Sequence, residues 1–138
     1  MEPTAILQPV IAMGLWTSIV TVWMYATRFP AINKAGIKPQ EAAHIKEMKL
    51  PSEVARISDN YNHLFEQPTV FYAITIAIGV LGHGDQTALA CAWSFVILRV
   101  VHSLIQCTIN IVMLRLVAFT LSWIVLLIMM VREALIIF

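Results

Sequence analysis

Seven side chains that can hold or move charge sit in or beside otherwise apolar sequence: Arg56, Asp59, His63, Glu66, Arg99, His102 and Arg115. Wound as a helix, the run from Arg56 to Gln67 places Arg56, Asp59, Asn60, His63, Glu66 and Gln67 within roughly 120° of one face. Arg99, His102 and Gln106 repeat at spacings of three and four, so they share a face too. Guanidinium groups bind anions, and a thiol held beside one loses its proton more easily, giving the thiolate that acts as nucleophile. Two readings follow from the residues. One is an internal ion-pair network, with Glu66 or Asp59 joined to Arg99. The other is a binding site for an anionic ligand, for which three arginines exceed the structural need.

Other chemistries fit less well. His63 and Glu66 stand at a ligand spacing that His102 could complete, but without a second carboxylate–histidine pair a metal site is not expected. No Ser-His-Asp or Cys-His arrangement and no phosphate-cradling glycine loop is visible. Cys91 and Cys107 lie in apolar segments without framework spacing and read as small buried hydrophobes. His44 and His83 fall in connections and are expected to be solvated. Trp16, Trp23, Trp93 and Trp123 lie in apolar stretches and are expected to pack or to meet lipid.

The elements that carry these residues belong in a membrane. The 138-residue chain is 59% hydrophobic and 12% charged, with a mean hydropathy of +0.80. A soluble domain is nearer 45–50% apolar and about 25% charged. A net charge of +1 and the lack of a dense basic run give no nucleic-acid signal. The charge-free run from Thr4 to Thr27 has no basic segment before it and is long enough to span, so it reads as a retained first helix.

The expected fold is an all-α integral membrane protein, a four-transmembrane-helix bundle in a single domain over 1–138, with spans at about 4–29, 53–81, 86–108 and 112–137. Pro30 is expected to stop or bend the first helix after Arg28. Residues 31–51 form a polar loop, with a short helical turn around Gln40 to Met48. Ser52 is a plausible N-cap with Glu53 just inside the second helix. The apolar part of that helix, Thr69 to Leu81, is too short to cross alone, so some of the polar stripe must lie at membrane depth. Pro68 is expected to kink the helix there. Gly82-His83-Gly84-Asp85 reads as a tight turn. Arg115 and Arg132 flank the last apolar run and are expected at or snorkelling to the two interfaces.

Six of the nine basic residues, Arg28, Lys34, Lys38, Lys46, Lys49 and Arg56, lie in or beside the first connection. The positive-inside rule then puts that loop and the Arg115 turn in the cytoplasm, with both termini outside. The second helix enters polar half first and the third arrives polar half last, so the two polar zones share one depth.

These residues resemble the MAPEG family, membrane-associated proteins in eicosanoid and glutathione metabolism. The run from Glu53 to Phe71, E-V-A-R-I-S-D-N-Y-N-H-L-F-E-Q-P-T-V-F, is similar to the family's second-helix pattern, and Arg99-Val100-Val101-His102 to its R-x-x-H. Arg115 stands where the family holds an arginine near the glutathione sulfur. The run F-E-Q-P-T-V-F-Y is most similar to uncharacterised bacterial members, which implies a bacterial inner membrane.

The resemblance implies a homotrimer with the second helix lining its centre and sites between neighbouring helices. It implies a membrane enzyme that conjugates or reduces lipophilic electrophiles with a thiol such as glutathione. Arg115 would be catalytic, stabilising the thiolate. Arg56, Glu66 and Arg99 would orient the peptide, with Asn60, His63 and His102 completing the pocket. Phe119 and Gln106 stand at positions often held by tyrosine, Asp59 where the family has a second arginine, and His63 where it has asparagine. An aspartate there is unfavourable by charge for a tripeptide with two carboxylates. The alternative is a lipid-binding or partner-binding protein on the same scaffold, without catalysis. Membrane lipids and a lipophilic small molecule are the expected partners, with no nucleic acid.

Overall fold

The computed structural model describes residues 4–38, 40 and 50–138. Helices make up nearly all of it, and no strand occurs among the described residues. After a 3-10 turn at Ala5–Leu7 come α1 (Gln8–Lys34), α2 (Ser52–His63), α3 (Gln67–Leu81), α4 (Gln86–Cys107) and α5 (Val112–Ile137). Four stretches are long and apolar enough to cross a membrane: Ala5–Lys34, Ser52–Leu81, Gln86–Cys107 and Val112–Ile137. The chain is an all-α integral membrane protein. Apart from Gln40, the turn expected from Gln40 to Met48, with His44, lies outside the described residues.

Two helix ends differ from the sequence expectation, each for a local reason. Pro30 does not stop α1, which runs through it to Lys34. A proline inside a helix costs one hydrogen bond, and in an apolar medium breaking the helix would free several more backbone groups. The stop comes at Gly36, whose φ of +70° lets Ile37 N–H reach back to the Ile32 carbonyl at 3.3 Å. That is the glycine-terminated helix end, and Gly82 with His83 ends α3 in the same way. Ser52 is not the cap of α2. Pro51 holds that position, and Ser52 is already helical with no side-chain cap bond at the end.

The helices pack around one apolar core. α4 lies along α5, α1 rests on α2 and α4, and the N-terminal 3-10 turn sits against α3. Phe71 and Phe95 are fully buried and stack with ring centroids 4.3 Å apart, tying α3 to α4. Met13, Val20, Ala92, Leu126 and Met129 fill the space around them. Outward-facing positions are apolar as well, as in Ile11, Val22, Ile97, Val117 and Leu127. A surface so apolar suits acyl chains, which replace water as the solvent there.

Polar pairs fasten the end of the bundle at the α3–α4 turn. Asp85 Oδ1 accepts from the Ala88 N–H at 2.7 Å, capping α4. Its Oδ2 accepts from Arg132 Nη2 at 2.6 Å, joining the turn to α5. His83, expected to be solvated, instead places Nδ1 2.6 Å from Oε1 of the buried Glu133. A carboxylate on an apolar helix needs such a partner, because burial without one is costly.

The Arg132 guanidinium and the Ala88 N–H hold the Asp85 carboxyl below the ordinary aspartate value. A lowered folded-state value means that its contribution is complete above about pH 4, near the unfolded value, and is lost as pH falls through the folded one. Asp85→Ala is expected to destabilise the detergent-solubilised protein by about 1 kcal/mol at neutral pH, the usual worth of an N-cap. Asp85→Asn keeps the cap and should remove only the acid-dependent part. Thermal melts at pH 7 and below pH 4 check both.

Candidate functional site

The site is built around an interruption in the second span. Pro68 has no N–H to give the Leu64 carbonyl, and α2 ends at His63 before α3 restarts at Gln67. The break falls at Leu64–Glu66, with Pro68 in the first turn of the new helix, where its missing N–H costs little. The His63 carbonyl, at the edge of the break, accepts from the Glu66 N–H at 3.4 Å and from Arg99 Nη2 at 3.0 Å. Arg99 Nη1 donates to Gln67 Oε1 at 3.1 Å. The same Gln67 oxygen accepts from Ser122 Oγ at 2.9 Å. One guanidinium therefore ties the broken span to α4, and Gln67 extends the tie to α5.

This arrangement replaces the ion pair expected between Arg99 and Glu66 or Asp59. Arg99 is fully buried, and no carboxylate forms a salt bridge with it among the described residues. Neutral oxygens on either side of the helix break accept its N–H hydrogen bonds instead. Glu66 is 60% exposed and bonds His63 instead, Oε2 to Nδ1 at 3.1 Å.

Arg115 occupies a different setting, in the first turn of α5. Its Nη1 donates to Asn110 Oδ1 at 2.7 Å. Asn110 has a φ of +52°, and its N–H bonds the Ile105 carbonyl at 2.7 Å, closing the end of α4. Asparagine tolerates this left-handed conformation better than most residues. The α4–α5 turn thus aims the arginine.

Arg115 borders two adjoining hollows. One, of about 260 Å³, is polar and lined by Asp59, Asn62, His63, Glu66, Gln106 and Arg115. The other, of about 220 Å³, is lined by His63, His102, Val112, Arg115, Leu116 and Phe119. His63 and Arg115 belong to both, so a charged half and an apolar half meet along one guanidinium and one imidazole. The His63 and His102 rings stand edge to face with centroids 6.2 Å apart.

Of the residues singled out from sequence, His63, Glu66, His102 and Arg115 line this cleft, and Asp59 joins them. Arg56, Asn60 and Arg99 do not line it. Arg56 is half-buried with its Nε unpartnered, and Asn60 is fully buried with both amide atoms unpartnered. Gln67 stood on the polar face in the sequence without a role, and two contributors escaped altogether: its partner Ser122, and Asn110, which holds Arg115. The signal for Gln67 was its place on the polar stripe immediately before Pro68. For Asn110 it was an asparagine at a helix end, five positions before the arginine. Nothing in the sequence around Ser122 marks it.

Removing the acceptor tests the tie. Gln67→Leu leaves a buried guanidinium N–H without a partner and is expected to cost about 2 kcal/mol, the scale of a hydrogen bond to a charged group. Gln67→Glu keeps the oxygen and should be better tolerated. Thermal unfolding in detergent separates the two variants.

No curated protein and no solved structure matches the chain. A family model does, over residues 6–135, and its description is the MAPEG family. That match takes in the interrupted span, the R-x-x-H helix and the arginine at the start of α5, and it covers nearly the whole sequence. The chain belongs to the MAPEG family.

Proposed function

We propose that this protein is a membrane enzyme that joins a thiol to a lipophilic electrophile. The observation that carries the reading is the position of Arg115, shared between the charged and the apolar half of the cleft. A guanidinium at such a boundary favours the thiolate of a bound thiol. The apolar half, with Val112, Leu116 and Phe119, suits an electrophile arriving from the bilayer. With chlorodinitrobenzene as electrophile, the thiolate sulfur forms a bond to the ring carbon, the carbon–chlorine bond breaks, and chloride departs. The thiol proton passes to solvent at the exposed polar half. Bringing both reactants to one edge converts a two-body encounter into a positioned one.

Topology and assembly follow the same reading. The concentration of lysine and arginine around the α1–α2 connection supports a cytoplasmic loop, which puts the cleft near the inner leaflet. The family relationship supports a homotrimer, with apolar outer faces available for helix contact.

A second reading, a lipid-binding protein without turnover, draws on a groove of about 460 Å³ along α1 lined by Leu15, Ser18, Ile19 and Val22. An acyl chain would fit there.

Conjugation of chlorodinitrobenzene by purified protein, supplied with a panel of thiols, decides between these readings. The enzyme reading expects turnover that falls at least tenfold in Arg115→Ala, with the variant still folded by thermal melt. Absence of turnover with every thiol, together with a co-purifying lipid, would establish the binding reading instead.

A further inference from the structure

The charges around the cleft do not match glutathione. Its polar half presents two carboxylates, Asp59 and Glu66, against one guanidinium, Arg115. Both carboxylates are exposed, so neither is consumed inside the protein. The His63 imidazole, bonded to Glu66, offsets one of them at most.

The other arginines at this end line neither hollow. Arg99 is buried and donates to the His63 carbonyl and to Gln67. Arg28 donates to Ser58 at 3.2 Å. Arg56 is not among the lining residues. Among the described residues that line the polar half, a tripeptide bearing two carboxylates and a developing thiolate would therefore touch one guanidinium and two like charges.

We infer that the cleft selects a thiol that carries a positive charge and no free carboxylate, an aminothiol rather than an acidic one. The sulfur sits at Arg115, where the polar and apolar halves meet, and the ammonium faces Asp59 and Glu66. Opposite charge at these positions adds attraction, while like charge subtracts from it and slows encounter. The apolar half is left for the electrophile. Selection of this kind comes as much from what the site repels as from what it holds.

The inference rests on the thiol-transfer reading, and one comparison tests both. Glutathione and glutathione diethyl ester share the thiol, the amine and the peptide, and differ in the two free carboxylates. With chlorodinitrobenzene as the common electrophile, the wild-type protein is expected to favour the diester by about tenfold or more in kcat/KM. In the double variant Asp59→Asn/Glu66→Gln that preference should shrink to about twofold or less. Both side chains are exposed, and a thermal melt confirms that the variant folds.

A preference that survives unchanged in the double variant would reflect the ester's partition into detergent or bilayer and would overturn the inference. Equal or better use of glutathione by the wild type would overturn it as well, while leaving thiol transfer intact. If neither thiol is conjugated in an Arg115-dependent way, both proposals fall together.

Discussion

A guanidinium buried in an apolar bundle cannot shed its charge, so the surrounding helices must supply oxygens to meet it. Arg99 finds two, and both flank the break in the second span. Pro68 withholds an N–H from Leu64, α2 stops at His63, and the carbonyl there accepts from both the Glu66 N–H and Arg99. Gln67, the first residue of α3, supplies the second oxygen and shares it with Ser122. The kink and the charge are complementary defects. Either alone would leave a polar group stranded at membrane depth, and together they join three spans.

The same break sets up the cleft. With α2 ended at His63, the imidazole and Glu66 lie on the polar side of the interruption, and Asp59 and Asn62 lie one turn earlier. The α4–α5 turn, held by Asn110 in its left-handed conformation, brings Arg115 to face them. His102, three residues beyond Arg99 on α4, closes the apolar half with Phe119. At the opposite end, Asp85 with Arg132 and Glu133 with His83 keep the α3–α4 turn seated on α5. The cleft can then stay open at one end without loosening the other.

Much of this was legible in the sequence. The apolar lengths show four membrane-crossing stretches, and the spacing of Arg56 to Gln67 and of Arg99 to Gln106 shows which faces are polar. Shared depth of the two polar zones follows from topology, and the structure brings them together through Arg99 and the His63 carbonyl. Pairing partners were less legible. A sequence shows charges, so Arg99 invites a carboxylate, while backbone carbonyls freed by a break are invisible in it. Pro30 and Pro68 look alike in the sequence, yet α1 runs through the first and the second span breaks beside the other. Beside the break at Pro68 stands Arg99, which binds the His63 carbonyl, and α1 continues instead to a glycine that can adopt the left-handed turn. Glu133 and His83, fifty positions apart in the chain, carry no periodic signal that would link them.

Counting arginines therefore overstates how strongly such a site attracts anions. Arg99 and Arg115 are the same residue type at the same end of the bundle, and their surroundings give them opposite roles. One is enclosed and donates its N–H groups to neutral oxygens, which leaves its charge in place but keeps the group itself out of a ligand's reach. The other keeps a single side-chain bond, to Asn110, and stands at the cleft wall. Among the described residues that line the polar half, a ligand touches two carboxylates and one guanidinium. A scaffold can thus keep its arginines while the contacts that its cleft offers change, because an aspartate at an exposed position can touch a ligand and an enclosed arginine cannot.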